Sequence, residues 1–172
     1  MKKILSLFLF LVPFSISHIW AQKVEMLVAG TWVDIPAQQT QSELKPGWKI
    51  VDYQMKSRLV HYLSGGRATQ LADDNCPALR ITPGPDEVLV DYALIRLKRY
   101  TEYRKLPKAK LTDNEYRRLE LDTFHVRAEG DAFVCQSRQP LQPGEYILVH
   151  LLQKPIGELQ DFLVYPFCVI RE

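Results

Sequence analysis

The sequence predicts an all-β fold, a sandwich or a barrel, and two observations carry that prediction. From Lys23 onward, short runs rich in Val, Ile, Leu, Tyr and Phe recur along the chain, and Pro or Gly breaks them at frequent intervals. A length of 172 residues suits one domain. With 47% hydrophobic and 24% charged residues, collagen-like, coiled-coil and disordered compositions are excluded.

The first element is a leader. Lys2 and Lys3, an apolar run from Ile4 to Ile16, and Ser-His-Ile-Trp-Ala before Gln22 match the three regions of a secretory signal peptide. The run falls short of the roughly twenty residues that span a bilayer, and no later stretch is long and apolar enough to do so. Cleavage near Ala21 is expected, with a periplasmic or secreted product and no transmembrane segment. The formal charge of +2 comes from 22 basic against 20 acidic residues, and Lys2 and Lys3 account for the surplus. Residues 22–172 are therefore neutral, which excludes polybasic binding to nucleic acid or membrane as a property of the whole chain.

Strands are expected at 24–28, 31–35, 49–55, 58–63, 79–82, 90–100, 123–127, 132–137, 146–152 and 162–170. The turns between them have identifiable chemistry: Ala29-Gly30, Pro46-Gly47, Ser64-Gly65-Gly66, Pro83-Gly84-Pro85, Glu129-Gly130-Asp131 and Pro143-Gly144. Pro presets φ at the first central position and Gly supplies the positive φ needed next. One short connecting helix, Asp113 to about Leu119, is predicted by the capping-box spacing Thr112-Asp113-Asn114-Glu115. The expected division is a leader at 1–21, an N-terminal β extension at 22–63 and a core at 64–172, the last two forming one unit.

The stretch Leu141-Gln142-Pro143-Gly144-Glu145-Tyr146 opens an apolar strand. It resembles the tyrosine corner of immunoglobulin-like and fibronectin-type sandwiches, in which a Tyr ring packs inward and its hydroxyl bonds back to the preceding turn. The resemblance covers about nine residues and implies an immunoglobulin-like β-sandwich, with Tyr146, Gly144 and Leu141 structural. Strands 146–152 and 162–170 then form a hairpin that is apolar on both faces, so its second face needs a cover. The N-terminal segment is the first candidate and a partner protein the second. Pro166 belongs at a sheet edge or bulge, and edge-strand or hairpin-face self-association is an expected consequence. Across scattered positions, the Gly-Thr-Trp near Gly30, the Asp-Tyr-Ala-Leu-Ile-Arg-Leu strand from Asp91 and the late Leu-Gln-Pro-Gly-Glu-Tyr, the chain also resembles small uncharacterised secreted proteins of Bacteroidota. That resemblance implies no activity.

Charge is uneven. Residues 96–118 hold nine basic side chains against Glu102, Asp113 and Glu115, with Tyr100, Tyr103 and Tyr116 interleaved. Arg96, Lys98, Arg99, Tyr100, Tyr103, Arg104 and Lys105 are the candidate binding residues, facing an unknown protein or an anionic glycan. The alternative is a solvated strand end whose cations keep an edge from aggregating. Nucleic acid is not expected, because no recognition motif accompanies the charge.

Other constellations are weaker. Cys76, Cys135 and Cys168 allow one disulfide, Cys135–Cys168 being the expected pairing, although both lie in strand-like runs that suit small buried hydrophobes. His61, His125 and His150 stand alone, without metal-ligand spacing. Asp73-Asp74 and Asp86-Glu87 read as turn residues more readily than as a calcium loop. Trp32 and Trp48 suit burial better than sugar stacking. No nucleophile elbow, phosphate loop or dinucleotide fingerprint occurs, so no catalytic residue and no cofactor are expected. The leading reading is an exported, non-catalytic binding or interaction module. A small hydrolase with a dispersed polar site and a purely structural envelope subunit are the competing classes.

Overall fold

A computed structural model describes residues 22–45, 49–50, 53–54, 58–84, 92–106, 124–150 and 161–170. The chain is all-β, and the fifteen strands among the described residues are β1 (Lys23–Val28), β2 (Thr31–Asp34), β3 (Gln38–Gln39), β4 (Gln41–Lys45), β5 (Lys49–Ile50), β6 (Tyr53–Gln54), β7 (Arg58–Ser64), β8 (Leu71–Ala72), β9 (Ala78–Thr82), β10 (Tyr92–Arg99), β11 (Tyr103–Lys105), β12 (Phe124–Glu129), β13 (Ala132–Ser137), β14 (Gly144–His150) and β15 (Leu163–Val169). No helix occurs among the described residues; the helical turns expected from Asp113 lie outside them.

Local chemistry sets the hairpins. β1 and β2 pair with Val28 opposite Thr31, so Ala29-Gly30 is a two-residue turn. Both residues have positive φ, 48° and 80°, the requirement of a type I′ turn. Ala29 occupies the left-handed region at a cost of about 1 kcal/mol, and its N–H donates to the Asp73 carboxylate. Gly130-Asp131 joins β12 to β13 as a two-residue turn of a different kind, with positive φ at Gly130 alone (62°), the residue for which a type II′ turn needs Gly. Lys49–Ile50 and Tyr53–Gln54 form a small hairpin of their own where one longer strand was expected.

Two main sheets result. The smaller has the order β12-β13-β9-β1-β2 and is antiparallel throughout. The larger runs β3-β15-β14-β10-β11-β7-β4, with β8 added in parallel to β15. Its two ends, β3 and β4, are separated only by Thr40, so a single stretch from Gln38 to Lys45 pairs with β15 on one side and with β7 on the other. The sheet is thereby closed into a barrel. At the seam Thr40 is fully buried, its N–H donates to the Phe162 carbonyl at 2.9 Å, and its Oγ1 accepts the Phe162 N–H at 3.0 Å.

This closure explains the doubly apolar final hairpin. Tyr146 and Leu148 of β14 and Tyr165, Phe167 and Val169 of β15 face outward and pack with Val24, Met26, Leu79, Ile81 and Cys135 of the smaller sheet. Ile147, Val149 and Val164 face inward and pack with Ala93, Ile95, Leu97, Leu63 and Leu106 inside the barrel. The two apolar faces thus serve two separate cores. An immunoglobulin-like sandwich has two open sheets and one core between them, whereas here the larger sheet also encloses a second core. Residues 23–64 supply strands to both: β1 lies between β2 and β9, and β4 and β7 complete the barrel. Pro166 sits opposite Ile147 on one side. On the other it falls in the gap between β3 and β8, where no ladder needs an N–H.

The corner forms as expected. The Tyr146 hydroxyl donates to the Gln142 carbonyl at 2.7 Å, and its ring stacks on Phe167 at 5.7 Å. Leu141 packs against the inter-sheet core, and its N–H donates to the Asn75 carbonyl. The Cys135–Cys168 bridge does not form: both thiols are free and buried, Cys135 in the core between the sheets and Cys168 on the inward parity of β15. The wall of the barrel separates them.

Candidate functional site

The barrel has a charged mouth at the end where β10 finishes and β14 begins. Leu97, Glu145 and Cys168 are register partners across β10, β14 and β15, all on the inward parity, and they form one row at that end. The loop after β7 passes over them. Gly66 allows this, because a Cβ there would lie 2.2 Å from the Thr101 carbonyl oxygen. Next in the loop come Arg67 and Ala68, and the Ala68 N–H donates to Glu145 Oε2 at 2.8 Å. A cleft of about 820 Å³ opens here, lined by Arg67, Arg96, Lys98 and Arg99 around Glu145 and Cys168.

The electrostatics are lopsided. Among the described residues, none of the four cations pairs with a carboxylate. Arg96 gives Nη1 to Gln142 Oε1 and Nη2 to the Pro143 carbonyl, both neutral acceptors, so it clamps the corner turn while keeping its charge. Lys98 lies over the Tyr100 ring at 5.4 Å. Tyr100 stacks on Tyr103 at 4.6 Å, and Tyr103 meets Tyr62 edge-on at 6.0 Å. Lys105 is the register partner of Lys98 and half-buried. Arg96, Lys98, Arg99, Tyr100, Tyr103 and Lys105 therefore gather at the mouth and along the barrel wall beside it.

Arg104 does not join them, and the surface role expected for it is corrected. On β11 it has the inward parity and is 2% exposed. Its Nε donates to the Gly65 carbonyl at 3.0 Å, and its Nη2 donates to Gln38 Oε1 at 2.8 Å and to the Ser64 carbonyl at 3.1 Å. Its Nη1 lies 3.6 Å from Glu145 Oε2. A strand end dense in cations hides this alternation, because a buried Arg and an exposed one read alike. Glu145 and Arg67 are the site residues that sequence reasoning missed; the Glu of Pro-Gly-Glu-Tyr and the Arg after the double Gly carry no signal beyond their turns.

Glu145 is 1% exposed, and its Oε1 accepts no hydrogen bond among the described residues. Burial pushes the Cys168 thiol up, opposed by Arg67 and reinforced by Glu145. Burial likewise pushes the Cys135 thiol up to about 12. Both sulfurs are held protonated and unreactive at neutral pH.

The other candidates are occupied elsewhere. His61 is inside the barrel, its Nδ1 2.9 Å from Ser42 Oγ and its ring edge-on to Phe162, and burial pushes its pKa down. His150 packs against Tyr92 at 4.9 Å, and His125 is exposed. Asp73 holds the Ala29 N–H and Asp74 the Cys76 N–H, so both carboxylates cap turns. Trp32 lies half-buried beneath the Arg80 guanidinium, whose bond to Glu25 at 2.6 Å holds that carboxyl down to about 2. Asp86, Glu87 and Trp48 lie outside the described residues. No group of three metal-ligating side chains occurs among the described residues. No family model, no curated protein and no solved structure matches the chain.

Proposed function

We propose that the chain is an exported, non-catalytic binding module whose ligand, protein or glycan, is anionic and docks at the barrel mouth. The observation that carries this reading is the cleft itself, where Arg67, Arg96, Lys98 and Arg99 converge without carboxylate partners among the described residues. Clefts lined by one sign of charge focus the field and raise the local concentration of the opposite sign. The tyrosine ladder beside Lys98 offers a flat, amphipathic surface next to that field. The thiol in the cleft is protonated by its burial, which supports binding over covalent chemistry. In this proposal the kinship with immunoglobulin-like domains is confined to the corner, which fixes the turn forming one lip of the cleft.

The test is charge reversal at the two cleft cations that, unlike Arg96, do not clamp the corner turn. Lys98→Glu with Arg99→Glu should elute from phosphocellulose at markedly lower salt than the unaltered protein. Unchanged elution would remove the cleft's role.

A further inference from the structure

We infer that the buried pair Arg104 and Glu145, together with Gly66, pins the strap of residues 65–68 so that Arg67 stands over the cleft as a fixed cation for the anionic ligand; this deepens the anion-binding reading and rests on it. Arg67 follows the double glycine on an exposed loop, where a long cation ordinarily samples many positions. Here the backbone is tied down on both sides of it. The Gly65 N–H donates to the Glu102 carbonyl at 2.8 Å, and the Gly65 carbonyl accepts from Arg104 Nε at 3.0 Å. The Ala68 N–H donates to Glu145 Oε2 at 2.8 Å, and Ala68 itself is buried. Between these anchors Gly66 lies so close to the Tyr100 and Thr101 carbonyls that a Cβ has no room. The Arg67 side chain extends from this strap into the cleft, beside the Cys168 thiol, whose ionised form its charge favours.

The strap also accounts for two charged groups in the barrel interior. Arg104 and Glu145 are 2% and 1% exposed, and a buried ion pair adds no more stability than well-packed apolar side chains of similar volume. Their Nη1 to Oε2 distance of 3.6 Å is longer than a hydrogen bond, so mutual attraction is not their main contact. The shorter bonds run to the strap and its approach. Besides Gln38 Oε1, Arg104 holds the Gly65 and Ser64 carbonyls, and Glu145 holds the Ala68 N–H. An apolar pair would fill the same space but could hold neither a carbonyl nor an N–H. A cation placed before the ligand arrives loses less freedom on binding, which raises affinity without adding a contact.

The experiment measures retention of the purified protein on phosphocellulose at a series of salt concentrations, where each cation that meets a phosphate adds roughly one to the slope of log retention against log salt. Arg67→Gln should lower that slope by roughly one. An unchanged slope, with Lys98→Glu, Arg99→Glu still shifted, would overturn the inference and leave the cleft standing. Should that double variant be unshifted, the anion-binding reading falls and the inference with it. Gly66→Ala should remove the same increment from the unaltered chain and nothing further from Arg67→Gln. Equal losses in both backgrounds would mean that Gly66 does not act through Arg67, and would overturn the inference. Glu145→Gln and Glu145→Leu carry the same charge, but only Gln offers an oxygen to the Ala68 N–H, so the Leu variant should have the lower slope. Equal slopes would remove Glu145 from the device. Circular dichroism checks the fold of each variant. Should those at Gly66 and Glu145 not fold, hydrogen exchange on the unaltered protein decides: the Gly65 and Ala68 amides should exchange about a hundredfold or more slower than in an unstructured peptide, and an unprotected Ala68 amide would overturn the pinning.

Discussion

Replacing Arg104 with Met separates a barrel with a polar interior from a strand end with a solvated cation. At 2% exposure the guanidinium makes three hydrogen bonds to Gly65, Ser64 and Gln38 and faces Glu145, itself 1% exposed. Met keeps much of the length and apolar volume but none of the donors. The loss leaves a carboxylate buried beside acceptors that no longer have partners, and breaking a buried pair in this way costs about 3–5 kcal/mol. At about 2–4 °C per kcal/mol for a chain of this size, the midpoint should fall by roughly 6–20 °C. Urea unfolding followed by tyrosine and tryptophan fluorescence measures the free energy directly. The double variant Arg104→Met, Glu145→Gln removes both charges, and it should recover about 1–3 kcal/mol relative to the sum of the single losses, because the two groups face each other. A loss below about 0.5 kcal/mol for Arg104→Met, the scale of ordinary surface substitutions, would refute the closed barrel as the location of this side chain. Strict additivity in the double variant would refute the pairing.

Two further outcomes follow from single contacts. Tyr146→Phe removes the 2.7 Å bond to the Gln142 carbonyl and should cost on the order of 1 kcal/mol in the same assay; an unaltered midpoint would mean that the corner contributes no stability. His61 is held neutral by burial, so its folded pKa lies below the unfolded value of about 6.5 and the unfolded chain takes up its proton first. Its share of stability is therefore complete above about pH 6.5 and declines as the pH falls from there toward the depressed folded pKa. Asp161 opposes this by favouring the charged ring. Replacing His61 with Gln should flatten the stability curve in that window, and a curve of unchanged slope would assign the titration elsewhere.

The sequence made the strands legible where apolar residues recur between Pro and Gly. Val24–Val28, Ala132–Ser137 and the final hairpin lie where periodicity puts them, and the Ala29-Gly30 and Gly130 turns follow from φ alone. Periodicity gave no sign of Gln38–Gln39 and Gln41–Lys45, which are polar almost throughout, yet this stretch closes the barrel. Its residues are held by backbone ladders and by Thr40 Oγ1, and neither depends on side-chain hydropathy. The basic segment was legible as a charge excess, and six of the seven residues drawn from it do gather at the mouth or beside it. The seventh, Arg104, needed the register of β11 to show which way it points.

The amino-acid sequence by itself determined the class of the fold, the turns, the Tyr146 corner and the stretch of chain where cations concentrate. All of these depend on neighbours within about ten residues, through backbone sterics and local alternation. Tertiary structure decided that the larger sheet closes, that Cys135 and Cys168 lie on opposite sides of its wall, and that Arg67 and Glu145 join Lys98 and Arg99 around one cleft. Those facts depend on pairings between strands far apart in the chain, where a shift of one residue turns every side chain to the other face.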